Sequence, residues 1–289
     1  MIFKELKRKF LARKRVYQFN KHLEKTKSSI LKYYSENPST DPEVNHALAY
    51  LKDHKLGVFV APFQEKYSPS SIHVAFENGL PYVPTRWGKL FFKRSQNPAT
   101  IKLLLNGLYM EQDPESPHCY TDEKFHIEEG EILADVGCAE GLFTLMNIQK
   151  LEKAYLFEQD EEWIEALQAT FAPWKEKVVI IRKYVSDKNS ETEVRLDHYF
   201  EHEHPSFYKI DVEGAEQRVL DGMGKHRPKK IALCTYHKQE DFEKYAQYFN
   251  EKGYHYYPNP GLMVFINSFQ TIDPPFFRKG LIKAVFNSA

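Results

Sequence analysis

From Glu131 onward the chain alternates short apolar runs with stretches that are apolar on one face only. The runs "EILADV", "KAYLF", "VVII", "SFYKI" and "KKIALC" are four to six residues long and bounded by turn residues, as expected of parallel strands covered on both sides. Between them Leu142, Leu145 and Met146, then Trp163, Leu167 and Phe171, then Ala215, Val219 and Met223, recur at the three- or four-residue spacing of a helix with one buried face. Phe242, Tyr245, Ala246 and Phe249 do the same in "EDFEKYAQYFNEKG", which Gly253 ends. Strand and helix in alternation predict βαβ units and a parallel sheet. The runs "YHYYPN" and "LMVFIN", joined by "PNPGL", predict a closing antiparallel hairpin.

Upstream, residues 44–125 predict a short helix near 47–55, the apolar run "LGVFVAPF", a hairpin in "LPYVPTRWGKLFFKR" and a helix near 100–109, together a small α+β cap. "ENPSTDPE" reads as a loop that separates this cap from the N-terminus. The expected organisation is a basic amphipathic helix over 1–37, a cap over 38–125 that binds the acceptor, and a main α/β domain over 126–289 that includes a C-terminal tail.

The formal charge is zero, but residues 1–33 hold eleven Lys or Arg against Glu5 and Glu24, a surplus of nine that the remainder balances. Ile2, Phe3, Leu6 and Phe10 recur at helical spacing within that run, which suits peripheral contact with an anionic membrane surface. RNA or an acidic partner would serve as well, and the bland alternative is a solvated helix. No zinc-finger or aromatic-basic pattern supports nucleic acid, which is therefore disfavoured. Cys119, Cys138 and Cys234 show neither disulfide nor metal-ligand spacing, as expected in a reducing compartment. With no secretory h-region and no long apolar span, the expected location is cytoplasmic, at most in contact with the inner face of the membrane.

Chemistry concentrates where strands end. "EILADVGCAEGLF" gives a strand, a tight loop and a helix, and the loop reads D-x-G-x-x-x-G from Asp135 through Gly137 to Gly141. Glycines there let backbone close around a ligand, and a helix N-terminus follows. Glu158, seventeen residues after Gly141 at the end of the next strand, is placed to bind both hydroxyls of a ribose. A dinucleotide site wants G-x-G-x-x-G, and Ala139 stands where its second glycine belongs, so NAD is disfavoured. Asp135 instead suits the cationic amino group of S-adenosylmethionine. Glu140, Gln159 and, after the third strand, Asp187 complete the candidate cofactor set. Tyr184 and Ser186 share the loop of Asp187, and His118 and Tyr120 either line the cofactor entrance or tie the cap to the core.

"KIDVEGAEQRVL" sets Asp211 and Glu213 two residues apart at another strand end, where period-2 alternation aims them the same way if the strand persists. Group transfer to an acceptor that must lose a proton needs two positioned reactants and a base, and Asp211, Glu213 and His237 of "CTYHK" are the catalytic candidates. A divalent cation held by these three is the weaker alternative, and no resident metal is expected. Structural readings also exist: Glu213 or Glu216 accepting helix N–H groups, and Asp211 pairing with Lys209 or Arg218.

"ADVGCAEGLFTL", "LFEQD", "RLDHYF" and "YKIDVEGAEQRVLDGM", in this order and spacing, resemble the FkbM family of class I S-adenosylmethionine-dependent methyltransferases over about residues 126–267. "GLYMEQDPESPHCY" is similar to the segment before the core in some members. The resemblance implies a Rossmann-like sheet of seven strands with helices on both faces and a terminal antiparallel hairpin. It also implies O-methylation of a hydroxyl on a sugar, polysaccharide or secondary metabolite. The rival readings are an NAD-dependent oxidoreductase and a non-catalytic scaffold that keeps the fold.

Overall fold

The computed structural model describes residues 2–266 and 269–286, without the side chains of residues 2–13 and 15. Its central sheet has seven strands: β1 (Ile132–Val136), β2 (Lys153–Phe157), β3 (Val178–Ile181), β4 (Phe207–Ile210), β5 (Lys230–Cys234), β6 (His255–Pro258) and β7 (Leu281–Val285). They lie in the order β6-β7-β5-β4-β1-β2-β3, and β7 alone runs antiparallel to its neighbours. This is the α/β Rossmann-like class I arrangement expected from the alternating pattern. The strand order reverses between β1 and β4, which opens a crevice beyond their carboxyl ends.

Each strand is apolar on both faces because each face is covered. Leu133 and Phe207 join Leu145, Ile148, Leu167 and Phe171 in one core layer. Ala134, Val136, Tyr208 and Ile210 join Val219, Tyr245 and Phe249 in the other. Helices α4 (Leu142–Asn147) and α5 (Glu161–Phe171) cover the first face, and α7 (Glu216–Gly222) and α8 (Asp241–Glu251) the second.

The predicted hairpin has a different partner. β6 pairs not with "LMVFIN" but with β7, Tyr256 opposite Ala284. Met263–Val264 forms a separate ribbon with Phe277–Arg278. Two features of the sequence explain this. Leu262 and Val264 are apolar because they pack on Ile30, Val44 and Leu51. β7 is interrupted by Lys283, which is buried and reaches Asp122 at 2.8 Å.

The region upstream of 126 is not one cap. Helices α1 (Ile2–Glu36) and α2 (Pro42–Asp53) share a cluster with Leu262, Val264, Phe276 and Phe277. The antiparallel sheet of Ala75–Glu77, Leu80–Thr85 and Gly88–Phe91, with α3 (Pro98–Glu111), adds Val83, Leu90, Ile101 and Leu105 to the main core layer. Packing therefore runs straight across residue 125. Within α1, Ile30 is fully buried while Val16 and Tyr17 are exposed. The side chains of Ile2, Phe3, Leu6 and Phe10 lie outside the described residues. Among the described residues, no helix is long and apolar enough to cross a membrane.

Candidate active site

The loop after β1 and the tip of β4 are pressed together. Gly137 has φ +74°, and a Cβ there would lie 2.0 Å from the carbonyl oxygen of Asp211. Gly141, φ +77°, faces Leu167 and Phe171 of α5, where a Cβ would come within 2.7 Å. Both glycines are thus required by the protein's own packing, rather than by a ligand as their spacing suggested. The packed loop leaves one wall of a cleft of about 430 Å³, shared by Ala139, Glu140, Lys209 and Asp211 with Glu111 and Tyr120 from the upstream region.

Glu158 stands immediately after β2, as predicted. Its Oε1 accepts the N–H groups of Gln159 (2.7 Å) and Asp160 (2.8 Å), and its Oε2 accepts that of Ala139 (3.1 Å). Three backbone donors fix the carboxylate at the strand tip with lone pairs to spare. Gln159 Oε1 is buried without a hydrogen-bond partner, an acceptor beside Glu158 that a ligand's N–H would satisfy. Glu140 lines the cleft, and burial pushes its carboxyl up to about 7. Asp187 is elsewhere: it pairs with Arg218 at 3.0 Å and is absent from the cleft wall.

Asp135 lines the floor, but its counter-ion is internal. It lies opposite Lys209 in the β1–β4 register, 3.2 Å from Lys209 Nζ, and accepts the Thr144 hydroxyl at 2.7 Å. Lys209 Nζ also donates to the Gly137 carbonyl at 2.5 Å, so the pair anchors the glycine loop. Asp135 thus has an internal cation, and Lys209 forms its ion pair with Asp135, not with Asp211 as one structural alternative had it. Burial opposes the charge of Lys209, but Asp135 and Asp211 hold its ammonium well above the usual range.

β4 ends at Ile210, so the pleat does not reach residue 213. Asp211 points into the cleft, whereas Glu213, at φ +55°, has a side chain 84% exposed. Around Asp211 the structure gathers groups from distant segments. Tyr120 donates its hydroxyl to Oδ2 at 2.9 Å, Tyr236 donates to Oδ1 at 3.2 Å, and Nε2 of His118 and of His237 lie 3.7 and 3.6 Å away. Burial works against ionisation, yet Lys209, the two histidines and the Tyr120 hydroxyl hold Asp211 below the usual carboxylate range. Burial pushes His118 down to about 4, so it is neutral near pH 7. Glu111, in the last turn of α3, is pushed up to about 8 by burial and then by the Asp211 and Glu140 carboxylates.

His237 is the opposite case. Its Nδ1 lies 3.0 Å from fully buried Glu216, and its Nε2 lies 3.6 Å from both Asp211 and Glu213. Burial alone would lower it, but Glu213, Glu216 and Asp211 raise it to about 10. These carboxylates favour the imidazolium form of His237 at neutral pH, which leaves Asp211 as a carboxylate that faces the cleft. Glu216 also accepts the N–H groups of Val212 (3.2 Å) and Gly214 (3.3 Å), the task that the sequence left open between it and Glu213. A raised basic group stabilises the fold fully below its ordinary value of 6.5, and that stabilisation is lost as pH climbs through about 10. Thermal melts over that range should show the wild type losing its advantage over His237→Asn as pH rises. A constant gap would contradict the assignment.

The disfavoured alternative of a cation held by Asp211, Glu213 and His237 finds its three ligand atoms not grouped among the described residues, where the Glu213 side chain is 84% exposed. The ligand atoms of Asp211, Glu216 and His237 do fall within 4.8 Å of one another, as do those of His118, Asp211 and Cys234.

A Rossmann-like sheet with a glycine loop after β1, an acid after β2 and an acid after β4 is an α/β arrangement of the class I kind. Residues 128–256 match the Methyltransferase FkbM domain model. Among solved structures, the FkbM methyltransferase of Methylobacillus flagellatus KT is 18% identical with a TM-score of 0.44, over 64% of this chain and 54% of that one. The chain thus spans about half the length of that relative. SMU.1697c, a putative methyltransferase from Streptococcus mutans in complex with SAH, is 11% identical with a TM-score of 0.39, over 64% and 97% of the two chains. TrmK of M. capricolum, in complex with S-adenosyl-homocysteine, is 13% identical with a TM-score of 0.37, over 55% and 63%. No curated protein matches the sequence.

Proposed function

We propose that the chain transfers a methyl group from S-adenosylmethionine to a hydroxyl oxygen of a sugar, polysaccharide or secondary metabolite. The observation that carries this reading is that the Gly137 loop and Asp211 line one cleft where the strand order reverses, with the Glu158 carboxylate, outside that lining, bonded to the N–H of Ala139 in the same loop. S-adenosylmethionine, when bound, supplies the electrophilic methyl group.

The chain's own residues do the rest. Glu158, held by three N–H groups, keeps acceptor capacity for ribose hydroxyls. Asp211, ionised and fixed by two tyrosine hydroxyls, would take the acceptor's proton as the C–O bond forms and the methyl–sulfur bond breaks, its electron pair returning to the sulfur of a neutral thioether. His237, protonated between Asp211 and Glu216, keeps the Asp211 charge in place and turns it toward the cleft. Leu108, Gln112 and Tyr120 line the same cleft as Asp211.

The test is to incubate the protein with labelled S-adenosylmethionine and a cell-envelope glycan extract. Label should appear on a base-stable ether of a glycan or small polyol. Label confined to protein or nucleic acid, or no transfer to any fraction, would contradict the reading.

A further inference from the structure

Helix α1 carries two apolar stripes on different sides. Turning by about 100° per residue, it sets Phe19, Leu23, Thr26 and Ile30 within one arc of about 60°, and positions 2, 3, 6, 10 and 17 within another of about 100° whose centre lies about 140° away. The first arc faces the protein. Thr26 and Ile30 are buried, Leu23 packs on the cluster of Val44, Leu51 and Leu262, and Phe19 meets Phe269 edge-on with ring centroids 5.7 Å apart. On the second arc Tyr17, its last member, is 69% exposed. The stripe stops there, because Asn20, Glu24 and Ser28 occupy the same arc over the turns that follow.

The charges beside the second stripe select what it meets. Residues 1–19 hold seven Lys or Arg against Glu5 alone. Positions 7, 14 and 21, all lysine, follow one edge of the stripe, and position 9, also lysine, the other. A second copy of the chain would bring like charge to like charge, and a nucleic-acid backbone would match the cations but not Ile2, Leu6 and Phe10. An acidic protein groove would enclose more of the helix than one narrow arc, whereas a flat interface touches one arc only. An anionic lipid surface uses both features: apolar side chains enter the acyl boundary while lysines at its edges reach the phosphates. Because the two arcs lie on opposite sides, lipid reaches the second without detaching the first from the body of the protein.

We propose that residues 2–17 of α1 lie along an anionic lipid surface, with the rest of the protein held on the far side of the helix. None of the residues that line the cofactor cleft belongs to α1, so this contact stands apart from the methyltransfer reading.

The test is sedimentation of the full-length chain with vesicles of phosphatidylcholine, alone or with phosphatidylglycerol added. Binding to the anionic vesicles should exceed binding to the neutral ones at least about tenfold at low salt, and weaken at high salt. Lys7→Gln with Lys14→Gln should lower it about twentyfold, at about fivefold per lysine, and Leu6→Gln with Phe10→Gln at least about tenfold. Lys175→Gln with Lys225→Gln removes the same charge from exposed positions elsewhere and should change it less than about twofold. Thermal melts of the variants should match the wild type, and if one melts early the wild-type preference between the two vesicles decides. Equal binding to both vesicles, an equal loss in the Lys175 and Lys225 control, or binding indifferent to Leu6 and Phe10 would overturn the proposal. So would retention on RNA that survives Leu6→Gln with Phe10→Gln while vesicles go unbound.

Discussion

Asp211→Asn will lower turnover about a thousandfold while changing the affinity for S-adenosylmethionine less than about threefold. The substitution keeps the volume and a carbonyl oxygen for the Tyr120 or Tyr236 hydroxyl, so the turn should survive. What it removes is the one ionised carboxylate that faces the cleft from the tip of β4. The other groups cannot replace it. His237 is already protonated, Glu213 is turned outward, and Glu111 and Glu140 are pushed up to about 8 and about 7, so at neutral pH they carry their protons for much of the time. Steady-state rates together with calorimetry decide the matter. A variant with wild-type kcat would remove Asp211 from the chemistry, and one that lost cofactor affinity and turnover in parallel would make it a binding residue.

Gly137→Ala will cost both stability and cofactor binding. Alanine at φ +74° costs about 1–2 kcal/mol from backbone strain. Its Cβ would sit 2.0 Å from the Asp211 carbonyl oxygen, which forces two strand tips apart and adds about 1–3 kcal/mol of overpacking. Gly130 separates the two terms, because it has φ +78° and nothing within 4 Å of a Cβ. Gly130→Ala should therefore show the strain alone. Chemical denaturation of the pair should place Gly137→Ala lower by about 1–3 kcal/mol, with cofactor affinity reduced in that variant only. Equal losses would mean that the contact between the two tips is not tight.

Much of this arrangement was legible in the sequence for a physical reason. Strands buried on both faces must be apolar throughout, so β1, β2 and β4 and the polar residues that follow them stand out, including Gly137, Glu158 and Asp211. Lysines inside strands were harder to place. Lys209 breaks "FYKI", and one structural alternative paired Asp211 with it or with Arg218, but which acid a buried lysine meets depends on cross-strand register, and register set it opposite Asp135. Lys283 likewise concealed β7 and left "LMVFIN" as the apparent partner of β6. Glu111, His118, Tyr120 and Tyr236 reach Asp211 from segments whose positions only long-range packing determines. The tyrosine beside the histidine in "HCY" and again in "TYH" was the local trace of that shell, since a buried carboxylate needs donors around it. Asp187 looked like a cofactor contact because it follows β3, but Arg218, one turn into α7, claims it.

The central claim is that the crevice grips a sulfonium nucleoside through the acid after β2, and the direct measurement is a calorimetric titration of S-adenosylmethionine into the full chain and into Glu158→Ala. The wild type should bind one equivalent, and the variant should bind at least about a hundredfold more weakly, as expected when two hydrogen bonds to a charged group are lost. Binding of equal strength by both proteins, or none by the wild type, would contradict it.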